Sequence, residues 1–78
     1  MELDAILVSV LAFFQEQYPD DTVTADMALT DTLGTDSLIV QDIIYFLEEE
    51  FEVQLEPKDI EDFESPGRIA KIVARKLS

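Results

Sequence analysis

Apolar residues recur at helical spacing in separate segments of this 78-residue chain, and prolines mark the ends of those segments. Pro19 ends the first segment, because proline cannot continue a helix. Pro57 and Pro66 suit the first turns of two further helices, and Ser65 is a favourable N-cap residue for the second of them. The four predicted helices cover about 3–18, 37–51, 57–63 and a last segment that starts at Pro66. The sequence therefore predicts an all-α fold, a small four-helix bundle with three longer helices, one short helix and a long first loop.

The first helix is predicted from apolar residues that recur at helical spacing, namely Leu3, Leu7, Val10, Leu11, Phe14 and Tyr18. In the other two longer helices the spacing predicts which apolar residues face the core. In the second they are Val40, Ile43, Ile44, Leu47 and Phe51, and in the last Ile69, Ile72, Val73 and Leu77. The loop from Pro19 to Asp36 has its own apolar anchors, at Val23, Leu29 and Leu33. A chain of this length is expected to form a single domain, residues 1–78.

The charge of the chain is strongly acidic and unevenly distributed. Eighteen acidic residues against five basic ones give a net charge of -13, and the first basic residue is Lys58. Such a field repels nucleic acid and anionic membranes, so neither is an expected partner. It attracts partner proteins with basic docking surfaces and speeds their association.

Several classes of function are disfavoured by the residues that the chain lacks. It has no Cys and no His, which leaves no thiol nucleophile and no imidazole base, and neither a catalytic nor a metal site is expected. Met1-Glu2-Leu3-Asp4 is acidic where a signal peptide is basic, and no apolar run approaches ~20 residues. These features predict a cytoplasmic protein that does not span a membrane. If the protein takes part in chemistry, the reactive group must be added to it.

The run Leu33-Gly34-Thr35-Asp36-Ser37-Leu38 precedes the second helix. A serine at a helix start is ordinarily a cap, and Thr35 and Asp36 compete for that position. The same place also suits a phosphate ester, because the N-terminal N–H groups and the helix dipole favour an anion. Both interpretations of Ser37 are open from the residues alone.

This run, the apolar helix that ends in Leu47-Glu48-Glu49-Glu50-Phe51, and the final Ile69-x-x-Ile72-Val73 resemble the acyl carrier proteins over nearly the whole chain. The resemblance implies that Ser37 is esterified with 4′-phosphopantetheine, whose thiol holds acyl or aminoacyl groups as thioesters. It implies that Asp36 helps a phosphopantetheinyl transferase to place its metal ion. The expected partners are that transferase and the enzymes that load and process the acyl group, and the expected state is a monomer without catalytic machinery of its own.

The same resemblance implies a docking face on the second helix. Its expected members are Leu38, Ile39, Asp42, Tyr45, Glu48 and Glu49. Carriers of fatty-acid synthesis commonly have an acidic residue where this chain has Ile39, and the region from Lys58 to Pro66 also departs from their pattern. These departures favour a specialised polyketide, fatty-acid or peptide pathway. The alternative is an acidic helical adaptor that binds a partner through the second helix and is never modified.

Overall fold

The computed structural model describes residues 2–20, 22–29 and 38–78, with the backbone alone for residues 38 and 39. It contains helices α1 (Leu3–Gln17), α2 (Leu38–Phe51), α3 (Pro57–Glu61) and α4 (Pro66–Leu77). No strand occurs within these ranges. The all-α fold with three longer helices and one short helix is therefore confirmed, and the predicted starts of α3 and α4 coincide with the observed ones.

The core lies where α1, α2 and α4 meet. From α1 it receives Ile6, Val10 and Phe14, none of which is exposed to solvent. The buried residues of α2 and α4 include Val40, Ile43, Leu47, Phe51, Ile69, Ile72 and Val73, which the sequence predicted to face inward, together with Pro66 and Ala70. A periodicity of 3.6 residues places the predicted positions on one side of each helix.

Aromatic contacts join α1 to α2. The Phe13 and Phe46 rings stack with centroids 4.8 Å apart. Phe46 also meets Phe51 edge to face at 6.4 Å, and Phe13 meets Phe14 in the same way at 5.7 Å. Offset and edge-to-face pairs are the favoured geometries of aromatic rings. Phe46 is therefore an internal packing residue, although it lies beside the outer face of α2.

The described part of the first loop is fixed to the start of α4. The Leu29 N–H donates to the Glu64 carbonyl at 2.9 Å, and the Gly67 N–H donates to the Ala25 carbonyl at 2.8 Å. The Leu29 side chain is buried in the core, as predicted, and Val23 packs against it. These contacts hold the chain close to the bundle just before residue 30. The third predicted anchor, Leu33, lies outside the described residues.

Three details differ from the sequence predictions. Leu77, predicted to face inward, is 38% exposed. In α1 the buried face begins at Ile6, which the predicted helical repeat omitted, and continues through Val10 and Phe14. α1 is apolar on nearly every side, so its periodicity does not single out one face. α3 ends at Glu61, two residues early, and Phe63 is buried after the helix has ended.

Candidate functional site

The predicted site residues fall into two groups. Asp36 and Ser37 lie outside the described residues, and of Leu38 and Ile39 only the backbone is described. α2 begins at Leu38, the residue that follows Ser37 in the sequence. The other four predicted residues, Asp42, Tyr45, Glu48 and Glu49, lie further along α2 with their side chains described.

Three of these side chains share the outer face of α2. Asp42, Tyr45 and Glu49 are spaced i, i+3 and i+7, which places them one above another along the helix. All three are exposed, and Tyr45 is 68% exposed. We call these three residues the α2 acidic face. An exposed aromatic ring between two carboxylates offers a partner both apolar contact and charge.

Glu48 has a different environment from the α2 acidic face. It is half-buried, and its Oε2 accepts a hydrogen bond at 3.1 Å from the backbone N–H of Leu55. This bond ties the end of α2 to the connector that leads to α3. Sequence reasoning placed Glu48 with the docking residues and missed this internal bond, because the bond depends on the path of the connector.

The carboxylates of the α2 acidic face form no ion pair with any residue in the described part of the chain. The ion pairs found there join Lys58 to Glu56 at 3.4 Å and Lys76 to Asp59 at 2.8 Å. Both pairs are near α3, and α2 contains no basic residue. The outer face of α2 can therefore attract a cationic surface without first breaking an ion pair between described residues.

The Asp59 carboxylate is a structural group that the sequence analysis did not single out. It is 8% exposed, and besides Lys76 it accepts from the Glu56 N–H at 2.9 Å as part of a capping box at the start of α3. The hydrogen bond from Lys76 and the bond from the Glu56 N–H hold the pKa of Asp59 below its usual range. The sequence contained one indication of this role: Asp59 stands three residues after Glu56, at the start of a helix that begins with a proline, and this is the spacing of a capping box.

Among the described side chains, no cluster of three or more Asp and Glu residues is arranged to hold a metal ion. In the same part of the chain, none of the helices combines the length and the apolar character that a bilayer crossing requires.

Comparison with known proteins places these features in a family context. Residues 3–73 match the family described as phosphopantetheine attachment site. An acyl carrier protein from an Exiguobacterium species is 32% identical over 99% of this chain and all of its own length. An acyl carrier protein from Borreliella burgdorferi is 27% identical over 97% of this chain and 98% of its own length. The non-reducing polyketide synthase Preu3 of Preussia isomera is 37% identical over 76% of this chain, which corresponds to 2% of the synthase.

Proposed function

The chain belongs to the acyl carrier protein family, and we propose that Ser37 is the residue that carries the 4′-phosphopantetheine cofactor of this family. The phosphopantetheine arm would hold acyl, polyketide or aminoacyl intermediates. The cofactor of this family is attached covalently, and the protein is a carrier without catalytic activity of its own. When attached, the arm supplies the thiol that the chain itself lacks. The carrier then delivers its cargo as a thioester to enzymes that supply the chemistry.

The environments of the other serines support Ser37 as the attachment point. The Ser65 Oγ accepts from the Arg68 N–H at 3.1 Å and caps α4. The Ser78 hydroxyl donates to the Arg75 carbonyl at 2.8 Å, and Ser9 is half-buried within α1. Each of these three serines therefore lies within a helix or caps a helix end. Ser37 is followed at once by the helix whose outer face is acidic, so a bound transferase would meet both features together.

The α2 acidic face supports the second part of the proposal, which is docking. A phosphopantetheinyl transferase and the acyl-loading and acyl-processing enzymes would recognise Asp42 and Glu49 with basic side chains and Tyr45 with an apolar pocket. Leu38 and Ile39, at the start of the helix, would extend this surface towards Ser37. Asp36 would lie next to the modified serine and help the transferase to position its metal ion.

We assign the carrier to a specialised pathway in the cytoplasm. In a fatty-acid carrier, an acidic residue at the position of Ile39 would pair with basic residues of the partner enzyme. Ile39 has no charge and cannot form such a pair. One of the similar proteins is a polyketide synthase, of which 2% matches this chain. An apolar docking contact at residue 39 suits a dedicated partner enzyme, and burial of one such side chain is worth ~1.5–3 kcal/mol.

An unmodified acidic adaptor is the second candidate, because the exposed Tyr45 could bind a partner without any cofactor. Loading of the purified apo-protein distinguishes the two functions. A broad-specificity phosphopantetheinyl transferase with acetyl-coenzyme A should attach one acetylated arm, and hydroxylamine should release the acetyl group while the arm remains. Ser37→Ala should accept no arm, whereas the matched control Ser9→Ala should be loaded as the wild type is. A wild-type chain that stays unmodified under conditions that load a known carrier would favour the adaptor.

A further inference from the structure

Three cations form a row on α4 that the proposed function does not use. Arg68, Lys71 and Arg75 are spaced i, i+3 and i+7, and all three side chains are exposed. We call them the α4 basic stripe. They span about 10 Å along the helix, at 1.5 Å per residue. The buried residues Ile69 and Val73 lie on the opposite side of α4, so the stripe points away from the core.

The fold itself makes little use of these three charges. The ion pairs between described residues occupy the other two basic residues, Lys58 and Lys76. No described acidic side chain lies within 4 Å of a stripe cation in an ion pair, although the chain has eighteen acidic residues. Acidic residues do line the neighbouring depressions: Asp4, Asp26 and Glu64 beside Arg68 and Lys71, and Glu56, Asp59 and Asp62 beside Arg75. The stripe is a row of cations bordered by these acids, and none of them forms an ion pair with it.

Arg68 is placed against the preference of the helix. It is the third residue of α4, where the positive end of the helix dipole disfavours a cation. A Glu at this position would complete a capping box with Ser65, whose hydroxyl already accepts from the backbone N–H of residue 68. Helix stability therefore does not account for Arg68, whereas Arg75 and Lys76 in the last turn suit the dipole.

The stripe borders a depression of about 240 Å³, lined by its three side chains and Ile72. Two guanidinium groups can each bind a carboxylate through two parallel hydrogen bonds, and the lysine between them adds a third charge. Carboxylates repeated at i, i+3 and i+7 on another helix would match this spacing. The geometry is therefore complementary to an acidic helix.

We propose that the α4 basic stripe binds an acidic helix of a partner protein, at a site separate from the α2 acidic face. A nucleic acid would extend beyond the 10 Å stripe onto a surface whose net charge is -13, and that surface would repel its further phosphates. A helix with a short acidic face avoids that repulsion. The inference goes beyond the carrier function, because it concerns a second partner surface of opposite charge.

A titration of the isotope-labelled Ser37→Ala protein tests this proposal without the cofactor. The probe is a 16-residue helical peptide with Glu at i, i+3 and i+7 on one face, added at about 0.15 M ionic strength so that charges more than about 8 Å apart are largely screened. Amide shifts should concentrate on α4, and Arg68→Glu should weaken binding about tenfold, as expected for loss of a charged hydrogen-bonded pair. Arg68→Glu should remain folded, because Glu suits the third position of a helix.

Lys58→Glu is the matched control, because it makes the same charge change at an exposed residue of α3, outside the stripe. It should leave the affinity for the peptide within about twofold. The proposal is overturned if Lys58→Glu weakens binding as much as Arg68→Glu, or if the shifts fall outside α4. It is also overturned if a single-stranded oligonucleotide or a phosphatidylserine vesicle binds the stripe more tightly than the peptide. Self-association in sedimentation that Arg68→Glu abolishes would likewise contradict it, since the occupant would be a second copy.

Discussion

At the scale of single residues, Glu52 has an unusual backbone conformation. It follows the last residue of α2 and has φ 55°, in the left-handed region that glycine prefers. A side chain in this region costs roughly 1 kcal/mol. Glu52→Gly should therefore raise the free energy of unfolding by about 0.5–1 kcal/mol in urea denaturation. Gln54→Gly, at an exposed position nearby, should give no such gain; an equal gain from both variants would refute the strain at Glu52.

Asp59 makes stability depend on pH. Because Lys76 and the Glu56 N–H lower its pKa in the folded state, the unfolded chain binds the proton more readily. The stabilisation is complete above the ordinary carboxyl pKa of about 3.9 and is lost as pH falls through the lower folded pKa. Asp59→Asn should cost ~1.5–3 kcal/mol at pH 7, and less as the pH falls below about 4.

Denaturation of wild type and variant across this pH range measures the difference. Asp62→Asn is the matched control, since the Asp62 side chain takes part in none of the ion pairs found in the described part of the chain. It should change stability by less than about 0.5 kcal/mol. A constant difference between wild type and Asp59→Asn from pH 7 to pH 3 would contradict the assignment.

At the scale of elements, the start of α4 and the first loop depend on one close approach. A Cβ added at Gly67 would lie 2.9 Å from the carbonyl oxygen of Ala25, the same oxygen that accepts from the Gly67 N–H. Gly67→Ala should therefore lose about 1–3 kcal/mol despite the higher helix propensity of alanine. The NMR amide chemical shifts of Ala25 and Leu29 should also change in the Gly67→Ala variant. A more stable variant with both shifts unchanged would show that the loop does not depend on this contact.

The longer helices could be predicted because the spacing of their apolar residues and the prolines next to them indicate the same helix bounds. Pro66 and Ser65 mark the start of α4, and the Ser65 cap is confirmed by its bond to the Arg68 N–H. The face of α1 could not be assigned, because a helix that is apolar on most sides carries a weak periodic signal. The roles of Glu48 and Asp59 were not predictable, since both depend on how connectors approach helix ends. The acidic outer face of α2 was visible as spacing in the sequence, while its use in docking stays a prediction.

At the scale of the whole molecule, charge is separated between surfaces. The α2 acidic face is proposed to attract basic partners, and the net charge of -13 opposes contact between two copies, in keeping with the expected monomer. Asp42→Lys and Glu49→Lys should each slow association with the transferase several-fold at low salt, and added salt should reduce the difference. Stopped-flow association rates measure this effect.

Glu50→Lys is the control for the docking prediction, because it makes the same charge change at an exposed position beside the α2 acidic face. It should slow association less than Glu49→Lys. Glu48 is tested by Glu48→Gln, since Glu48→Lys would also remove the bond to the Leu55 N–H. Reversed variants that associate at the wild-type rate in low salt would exclude electrostatic steering by α2.

The most direct test of the carrier function locates the arm within the chain. The protein is loaded with coenzyme A and a broad-specificity transferase, digested, and its peptides are fragmented in a mass spectrometer. The account predicts one phosphopantetheine per chain, with the fragment ions placing it on Ser37. An arm on Ser9, Ser65, Ser78 or a threonine, or loading that persists in Ser37→Ala, would contradict it.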